Sequence, residues 1–181
     1  QRVRANYPLL VADFWGDGTL TGGCLSGGRK YLHINNKGDV EPCIFAHFAV
    51  DNIKEKSLID CLASDFFKDL RGMAPYGKNV LRPCPIIDHP SVLKTAVERN
   101  GAYPTHEGAE TLFTELHPGL LKYAAHVQEV VDPVWEKDVP WAQTWLASDP
   151  DYQRRLSRGA DADELADEAG AETTEEMASR N

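Results

Sequence analysis

The sequence predicts an α+β fold: a small β-hairpin domain with a following helix, and then a mostly helical C-terminal extension. Three observations predict it: a turn sequence between two short apolar segments, a segment whose apolar residues recur at helical spacing, and a last region of helical patches separated by prolines. The chain has 181 residues, of which 42% are hydrophobic and 26% are charged. A chain of this size buries about 70% of the surface that its unfolded form exposes, which is enough for a hydrophobic core.

The first predicted element is a β-hairpin. Residues 8–15 are predicted to form a strand that leads into a long glycine-rich loop, and two further short strands follow at 31–34 and 40–45. Between those two strands, residues 35–39 (Asn-Asn-Lys-Gly-Asp) are types that tolerate the positive φ angles of a tight turn. An antiparallel hairpin is therefore expected over residues 31–45.

The second predicted element is a single helix after the hairpin. Ser57 stands where an N-cap residue is expected, with Asp60 three positions on, and Gly72 is the expected C-terminal stop. An isolated hairpin is marginal in water, so the apolar side of this helix is expected to cover one side of the hairpin. The apolar residues that share that side are Leu58, Ile59, Leu62, Phe66 and Leu70.

The third region is predicted to be mostly helical. One helix is expected over residues 91–100, ended by Gly101, and residues 106–127 are expected to hold one or two more, interrupted near Pro118. A helix-rich segment closes the region near residue 156. Large rings dominate burial energies, so four aromatic residues of that segment are expected to anchor a core. They are Trp135, Trp141, Trp145 and Tyr152.

Charge is distributed unevenly along the chain. The net charge is −9, and residues 157–181 hold eight acidic residues against two arginines. That segment is poor in apolar residues and is predicted to be a solvated tail, either disordered or a frayed helix. An acid excess without a basic stripe argues against nucleic acid as a partner. The longest apolar runs are far shorter than the roughly 20 residues that cross a bilayer, and no secretory signal opens the chain.

The four cysteines are the strongest candidates for a chemical role. Cys24 lies in the glycine-rich loop, Cys43 follows a proline on the outgoing hairpin strand, and Cys84 is flanked by two prolines. Glycine lets the backbone approach a bulky inorganic group and proline fixes φ, so these settings are stiff and suit metal ligands. Cys61 lies on the predicted helix, about 140° from the centre of its apolar side at 100° per residue. It is therefore expected on the flank of the helix, partly exposed.

Four interpretations of these cysteines stay open. Disulfides need an oxidising compartment, which nothing in the sequence indicates. Structural zinc usually uses Cys-x-x-Cys pairs, whereas at least 17 residues separate any two cysteines here. An iron–sulfur cluster tolerates thiolates from distant loops, because the cluster itself organises them. Thiols without any chemical role are the fourth interpretation.

The spacing of two cysteines and a glycine resembles a known family. Cys24 is followed by thirteen residues, Gly38, four residues and Cys43. This C-x13-G-x4-C pattern is similar to the opening signature of the SPASM/Twitch auxiliary iron–sulfur domains of radical S-adenosylmethionine enzymes. The hairpin sequence resembles that family too, as do residues 51–58, which lead into the helix. The resemblance covers residues 8–93.

The resemblance implies an iron–sulfur cluster, expected to be [4Fe–4S], with Cys24, Cys43 and Cys84 as ligands. The family usually continues with a second cysteine three positions after the first of its later pair, but here Cys84 is followed by Pro-Ile-Ile. The fourth ligand position is therefore open. Its candidates are Cys61, then His47, Asp88 and His89, or an iron atom that binds substrate.

The resemblance also implies an enzyme whose catalytic core lies elsewhere. Radical generation in this superfamily needs a CxxxCxxC loop, which this sequence lacks. Because the chain begins with Gln1 rather than Met, a core with that loop, a second cluster and S-adenosylmethionine is expected upstream in the same polypeptide. That core would generate a 5′-deoxyadenosyl radical, while the auxiliary cluster transfers electrons or positions the substrate. The further expected partners are a peptide or small-molecule substrate and a reductant protein such as a ferredoxin or flavodoxin, in the cytoplasm.

These expectations divide the chain into four parts. Residues 1–23 are expected to be the strand and glycine-rich link from the upstream core, 24–93 the SPASM/Twitch-like domain, 94–156 the helical extension and 157–181 the acidic tail. The alternative function is a zinc-stabilised binding or scaffold module without catalysis. The remaining polar candidates are expected to be structural: Asp13, Asp17, His106 and His117. Of these, Asp13 is also of interest as a carboxylate at the mouth-facing end of the first predicted strand.

Overall fold

The structure is a computed structural model, and it describes residues 6–8, 13 and 15–157. The strand predicted for residues 8–15 and the acidic tail predicted from residue 157 therefore lie almost wholly outside the described residues. Across the described part, short antiparallel strand pairs combine with helices, so the prediction of an α+β fold is confirmed.

Two antiparallel strand pairs organise the first half of the chain. β1 (His33–Ile34) pairs with β2 (Val40–Glu41), with His33 opposite Glu41, and this confirms the predicted hairpin. A second pair joins β3 (Phe48–Ala49) to β4 (Tyr103–Pro104), which comes much later in the sequence. The second pair ties the hairpin region to the helical region.

Local hydrogen bonds shape the turn of the hairpin as its sequence predicts. The Asn35 side chain accepts the backbone N–H groups of Lys37 and Asp39 at 2.9 and 3.1 Å. Gly38 has a φ of 97°, a left-handed conformation that a side chain would strain. The left-handed conformation of this turn therefore requires the glycine of the C-x13-G-x4-C pattern.

β2 is shorter than predicted. It ends at Glu41, whereas the sequence predicted a strand to residue 45. Pro42 has no N–H to donate to a ladder, and the Cys43 carbonyl accepts the N–H of Ala46 at 3.0 Å. The chain therefore turns at Cys43 instead of continuing the strand.

Helices form most of the remaining described chain. A short helix, α1 (Gly18–Thr21), precedes the hairpin, and α2 (Leu58–Leu62) and α3 (Asp65–Met73) follow it. None of the helices in the described ranges is long and apolar enough to cross a membrane. The later helices are α4 (Pro90–Asn100), a 3-10 helix (Ala109–Phe113), α5 (His117–Asp138), α6 (Pro140–Ser148) and α7 (Pro150–Leu156).

The single helix predicted over residues 57–72 is in fact two helices. Ser57 caps α2 as predicted, but α2 stops after five residues. A new N-cap, the Ser64 hydroxyl, accepts the N–H of Phe67 at 3.5 Å and starts α3. Gly72 lies inside α3, which ends one residue later, so the predicted stop is wrong.

The break between α2 and α3 changes which side chains face the core. Ile59, which was predicted on the buried side, is 78% exposed, whereas Cys61, which was predicted on the exposed flank, is fully buried. Both predictions continued a rotation of 100° per residue across residues 63–64, where the helix is interrupted. The expected partial exposure of Cys61 is therefore wrong.

The main core lies between α3, α4 and the strand pairs. The two helices pack on each other, and the side chains of β2 and β3 are buried against them. Phe66 and Leu70 of the predicted apolar side share this core with Val40 of the hairpin, whereas Leu58 and Ile59 of that side are 43% and 78% exposed. The largest fully buried side chains of this core include Phe48, Phe66, Phe67, Leu70 and Leu93.

Prolines begin helices in the C-terminal region. Pro90, Pro118 and Pro140 lie in the first turn of α4, α5 and α6. Proline suits that position because the first N–H groups of a helix have no partner within it. The helix predicted at residues 91–100 is confirmed, with Gly101 at a φ of 60° as its cap. The interruption predicted near Pro118 is found at residues 114–116, between the 3-10 helix and α5, and Pro118 lies in the first turn of α5.

The predicted aromatic anchors differ in burial. Tyr152 is 4% exposed and packs with Leu146 in a small second core, against which Trp135 is partly buried. Trp141 and Trp145 are 46% and 43% exposed, so the prediction is wrong for these two. Each of them comes one residue before a buried residue of α6, Ala142 or Leu146, so both lie on the outer side of that helix.

Candidate functional site

Three of the four cysteines line one cavity. Cys24, Cys43 and Cys84 come from the glycine-rich loop, the turn after the hairpin and the proline-flanked segment, respectively. The cavity has a volume of about 90 Å³, and two exposed aromatic residues, Trp15 and Phe45, also line it. The tertiary structure therefore gathers thiols that lie up to 60 residues apart in the sequence.

A tight bend presents Cys24. Gly22 and Gly23 both have positive φ angles, 66° and 94°, so the chain reverses just before the cysteine. The Arg29 guanidinium donates to the carbonyl oxygens of Cys24 and Thr21, which holds the bend closed. Cys24 Sγ lies 3.0 Å from Ser26 Oγ and accepts the Ser26 N–H at 3.4 Å.

The turn after β2 presents Cys43. The Phe45 N–H donates to Cys43 Sγ at 3.3 Å, and the Ala46 N–H donates to the Cys43 carbonyl at 3.0 Å. Tyr31, on the other side of the turn, accepts the Ile44 N–H with its hydroxyl oxygen at 2.9 Å. The sulfur is thus held by its own turn, and that turn is held by Tyr31.

A compact loop with a buried carboxylate presents Cys84. The Ile86 N–H donates to Cys84 Sγ at 3.4 Å, while the N–H groups of Asp88 and His89 donate to the Cys84 carbonyl. One oxygen of Asp88 accepts the Cys84 N–H at 2.9 Å and the Trp15 indole N–H at 3.2 Å. This pair of bonds connects the rim of the cavity to the Cys84 loop.

The three sulfur atoms share one local geometry, because the N–H two residues after each cysteine donates to Sγ. The donors are Ser26, Phe45 and Ile86, at 3.3 or 3.4 Å. Such donors stabilise a thiolate more than a neutral thiol. Burial opposes ionisation: it raises the pKa of the Cys43 thiol and raises that of Cys84 to about 12. A bound metal reverses this preference, since a coordinated thiol loses its proton.

Cys61 does not line the cavity. Its side chain is fully buried in the main core, and burial raises the pKa of its thiol. The nearest charges are Asp51 and Lys56, which form an ion pair with each other. The structure therefore places Cys61 apart from the other three cysteines.

The weaker candidates for a fourth ligand also lie elsewhere, since none of them lines the cavity. The His47 imidazole is 3.8 Å from a Glu41 carboxylate oxygen and contacts the His106 ring at a tilt of 33°, with ring centres 5.2 Å apart. His89 is buried, its Nε2 is 2.8 Å from the Arg82 carbonyl oxygen, and burial lowers its pKa to about 4. Asp88 is engaged by Trp15 and by the Cys84 backbone, as described above.

Several residues of the site have no signal in the sequence. Asp13 and Asp17 line the cavity, although the sequence analysis expected them to be structural. They also hold their own turn: Asp17 Oδ2 accepts the Asp13 N–H at 3.0 Å. Trp15, Tyr31 and Phe45 line the cavity too, and their sequence positions, within three residues of a glycine or a cysteine, are the only local signal for it.

The donor set of the cavity fits an iron–sulfur cluster. Thiolates are soft ligands that suit zinc, copper(I) and iron–sulfur clusters. In the part of the chain that the structure describes, no three His, Cys, Asp or Glu side chains stand close enough together to hold one metal ion. A cluster distributes its ligands over several iron atoms, so its thiolates need not converge on a single point. The zinc alternative gains no support from this arrangement.

Comparison with known proteins agrees with the site. Searches of curated proteins and of solved structures found no significant match. A family model does match: residues 24–85 fit SPASM, the iron-sulfur cluster-binding domain, over about a third of the chain. The matched segment begins at Cys24 and ends just after Cys84, so it contains all three cavity cysteines. Residues 24–85 are thus similar to the SPASM iron–sulfur cluster-binding domain, and the resemblance predicted from the sequence is confirmed.

Proposed function

We propose that Cys24, Cys43 and Cys84 ligate a [4Fe–4S] cluster, and that the chain is the auxiliary cluster region of a radical S-adenosylmethionine enzyme. One observation carries the proposal: three cysteines from distant segments line one cavity, each with a backbone N–H directed at its sulfur. The family match supports cluster binding by the same segment. Such a cluster, when bound, supplies one-electron chemistry or an iron atom that coordinates substrate.

The proposed ligand set contains three cysteines and omits Cys61. The fourth position is assigned to a ligand from outside this chain, because the cavity lining includes no further thiol or imidazole, and its two carboxylates, Asp13 and Asp17, accept hydrogen bonds from their own turn. Trp15 and Phe45 line the cavity and are 40% and 56% exposed. Their role is to contact the entering molecule and to keep bulk water from the cluster.

The wider context of the proposal comes from the family resemblance. An upstream core in the same polypeptide would carry the CxxxCxxC loop, a second cluster and S-adenosylmethionine. The substrate is a peptide or a small molecule, and the reductant is a protein such as a ferredoxin or flavodoxin, in the cytoplasm. In this proposal, the described chain binds the auxiliary cluster and forms the protein environment around it.

Anaerobic reconstitution of the 181-residue chain tests the ligand set. We expect about four iron and four sulfide per chain, with broad absorbance near ~400 nm. Cys24→Ser, Cys43→Ser and Cys84→Ser should each lose most of the iron, because each removes one of the three protein ligands. Iron and sulfide are measured by colorimetric assay on protein whose fold is checked by circular dichroism.

Cys61→Ala is the matched control, since it removes a cysteine outside the cavity. It should keep the full iron and sulfide content despite some loss of stability. A folded Cys61→Ala protein that assembles no cluster would show that the three-cysteine set is wrong. Colourless wild-type protein with one zinc per chain would contradict the proposed function itself.

A further inference from the structure

The hydroxyl of Tyr76 is buried without a partner. Tyr76 is 2% exposed, and its hydroxyl oxygen has no hydrogen-bond partner among the described residues. Buried polar groups in native proteins almost always have one, because an unpaired group loses its hydration and gains nothing in return. A buried hydroxyl without a partner in a native core therefore indicates a hydrogen-bond acceptor that the chain itself does not provide.

Tyr76 packs against the loop that carries Cys24. The residue before it, Pro75, packs on the bend that presents Cys24: a Cβ added to Gly23 would be 3.4 Å from Pro75 Cβ. The Tyr76 hydroxyl itself packs on the other side of that bend, 3.6 Å from where a Cβ of Gly27 would stand. The Cys24 loop is thus held against the segment that contains Tyr76.

The pKa of the Tyr76 hydroxyl responds to two of the three cavity thiols. Burial raises the Tyr76 pKa well above its ordinary value, and Cys24 and Cys84 add to the rise. Thiols at two corners of the cavity therefore act on the same hydroxyl. Cys24 and Cys84 also pack against the core that contains Tyr76, which agrees with this placement.

The protein groups nearest to the Tyr76 hydroxyl are already engaged. The Ser26 hydroxyl lies close enough to Tyr76 to lower its pKa, but the two make no hydrogen bond of normal geometry, and the Ser26 oxygen is 3.0 Å from Cys24 Sγ. The backbone N–H of Gly27 donates to the Pro42 carbonyl at 3.0 Å. Neither group pairs with the Tyr76 hydroxyl, and the Ser26 hydroxyl close to it contacts Cys24 Sγ.

We propose that the Tyr76 hydroxyl donates a hydrogen bond to a sulfur atom of the bound cluster or of its Cys24 or Cys84 ligand. This inference rests on the proposed function, because it needs a cluster in the cavity. A donor to sulfur stabilises the added negative charge of the reduced cluster, so it raises the reduction potential. With this hydrogen bond, the Tyr76 hydroxyl is unpaired in the metal-free protein and paired in the protein that holds the cluster.

Tyr76→Phe tests the inference, because it removes the hydroxyl and little else. In the metal-free chain, the variant should melt at the same temperature as wild type or higher, since an unpaired buried hydroxyl is lost. In the reconstituted chain, the rise in melting temperature that the cluster causes should be smaller than in wild type.

The midpoint potential of the Tyr76→Phe cluster, measured by redox titration with electron paramagnetic resonance, should shift to more negative values. Loss of the cluster absorbance to a chelator should be several-fold faster.

Tyr103→Phe is the matched control. Tyr103 is 40% exposed and does not line the cavity, and its hydroxyl donates to Asp39 at 2.9 Å. Removing it should lower the melting temperatures of metal-free and reconstituted protein equally. It should leave the midpoint potential unchanged.

Two results would overturn the inference. The first is a metal-free Tyr76→Phe chain that is unfolded or melts well below wild type, since the hydroxyl would then have a partner in the protein. The second is a reconstituted variant with the potential and cluster stabilisation of wild type. Failure of the wild-type chain to take up iron and sulfide is a different result, because it removes the proposed function itself.

Discussion

At the scale of single residues, the three cavity cysteines owe their geometry to their nearest neighbours in sequence. The chain turns immediately after each of them, and the turn brings the N–H two residues later back onto the sulfur. The three segments have unrelated sequences: two glycines precede Cys24, a proline precedes Cys43, and prolines flank Cys84. Different residues therefore produce the same sulfur environment, because each of them forces a turn.

Asp39 shows how a buried carboxylate is kept charged beside the hairpin turn. Its oxygens accept hydrogen bonds from Asn35, Asn52 and Tyr103 at 2.9–3.0 Å. Burial alone would raise the Asp39 pKa, but these bonds outweigh it and hold the pKa below its ordinary value. The charged form is thus the stable one in the fold.

Asp39→Asn should destabilise the protein by about 1–3 kcal/mol at neutral pH, because charge-assisted bonds are lost. A lowered folded-state pKa stabilises the fold above the unfolded value of about 3.9, and this stability disappears as the pH falls through the folded value. The difference between wild type and variant should therefore shrink below about pH 4. Urea unfolding at several pH values measures it.

Asp65→Asn is the control for that prediction, since Asp65 is exposed and only pairs with Lys68 on the surface of α3. Exposed pairs of this kind contribute roughly 0–1 kcal/mol. A difference between Asp39→Asn and wild type that stays constant from pH 7 to pH 3 would contradict the role given to the Asp39 charge.

At the scale of elements, local signals were reliable where hydrogen bonds form between near neighbours. The 35–39 turn and the Ser57 cap both stand as predicted, because the side chain that makes each bond is within four residues of its partner. The prediction of a single helix over 57–72 was wrong, because two serines compete as caps within eight residues. Propensity alone does not say which cap is used.

Two glycines of the same domain should respond oppositely to alanine. Gly38 has a φ of 97°, and an added Cβ would stand 2.6 Å from the Asn52 side-chain oxygen. Gly38→Ala should therefore destabilise the fold by roughly 1–3 kcal/mol. Gly72 lies in an exposed part of α3 with nothing within 4 Å of an added Cβ, so Gly72→Ala should stabilise by about 0.5–1 kcal/mol.

Thermal and urea unfolding of both variants measure these effects. Each substitution adds the same methyl group, so the pair separates backbone conformation from side-chain chemistry. Equal changes in both variants would contradict the view that the left-handed turn is what requires glycine at position 38.

At the scale of the whole molecule, the cavity joins segments that the chain brings together only on folding. Cys84 belongs to a segment that α5 also holds: the Asn79 side chain donates to Asp132 at 2.8 Å, and the buried Arg82 guanidinium lies 3.7 Å from the same carboxylate. The helical extension therefore supports one wall of the site.

Loading the cluster should raise the melting temperature of the whole chain. A ligand that binds only the folded state stabilises it by mass action, and a cluster that connects Cys24, Cys43 and Cys84 also joins distant segments. Differential scanning calorimetry of reconstituted and chelator-treated protein measures the shift. Cys84→Ser should melt at the same temperature with and without reconstitution.

A Cys84→Ser protein with the full shift of wild type would contradict the role of Cys84 as a ligand. The metal-free variant provides the baseline, because serine at this position also changes the packing of a buried thiol. The comparison therefore uses the difference between loaded and metal-free states within each variant.

The amino-acid sequence by itself determined the features that depend on near neighbours. These are the hairpin turn with its required glycine, the stiff settings of Cys24, Cys43 and Cys84, and the resemblance that the family match confirms. Short-range hydrogen bonds and backbone sterics fix such features, and both can be read from a few consecutive residues.

Only the tertiary structure decided which side chains share the cavity. It separated Cys61 from the other cysteines, brought Trp15 onto Asp88 and placed Tyr76 behind the Cys24 bend. These relations depend on where helices break and on how distant segments pack. A rotation error of a single residue turns a side chain by about 100°, so packing, rather than local pattern, determines them.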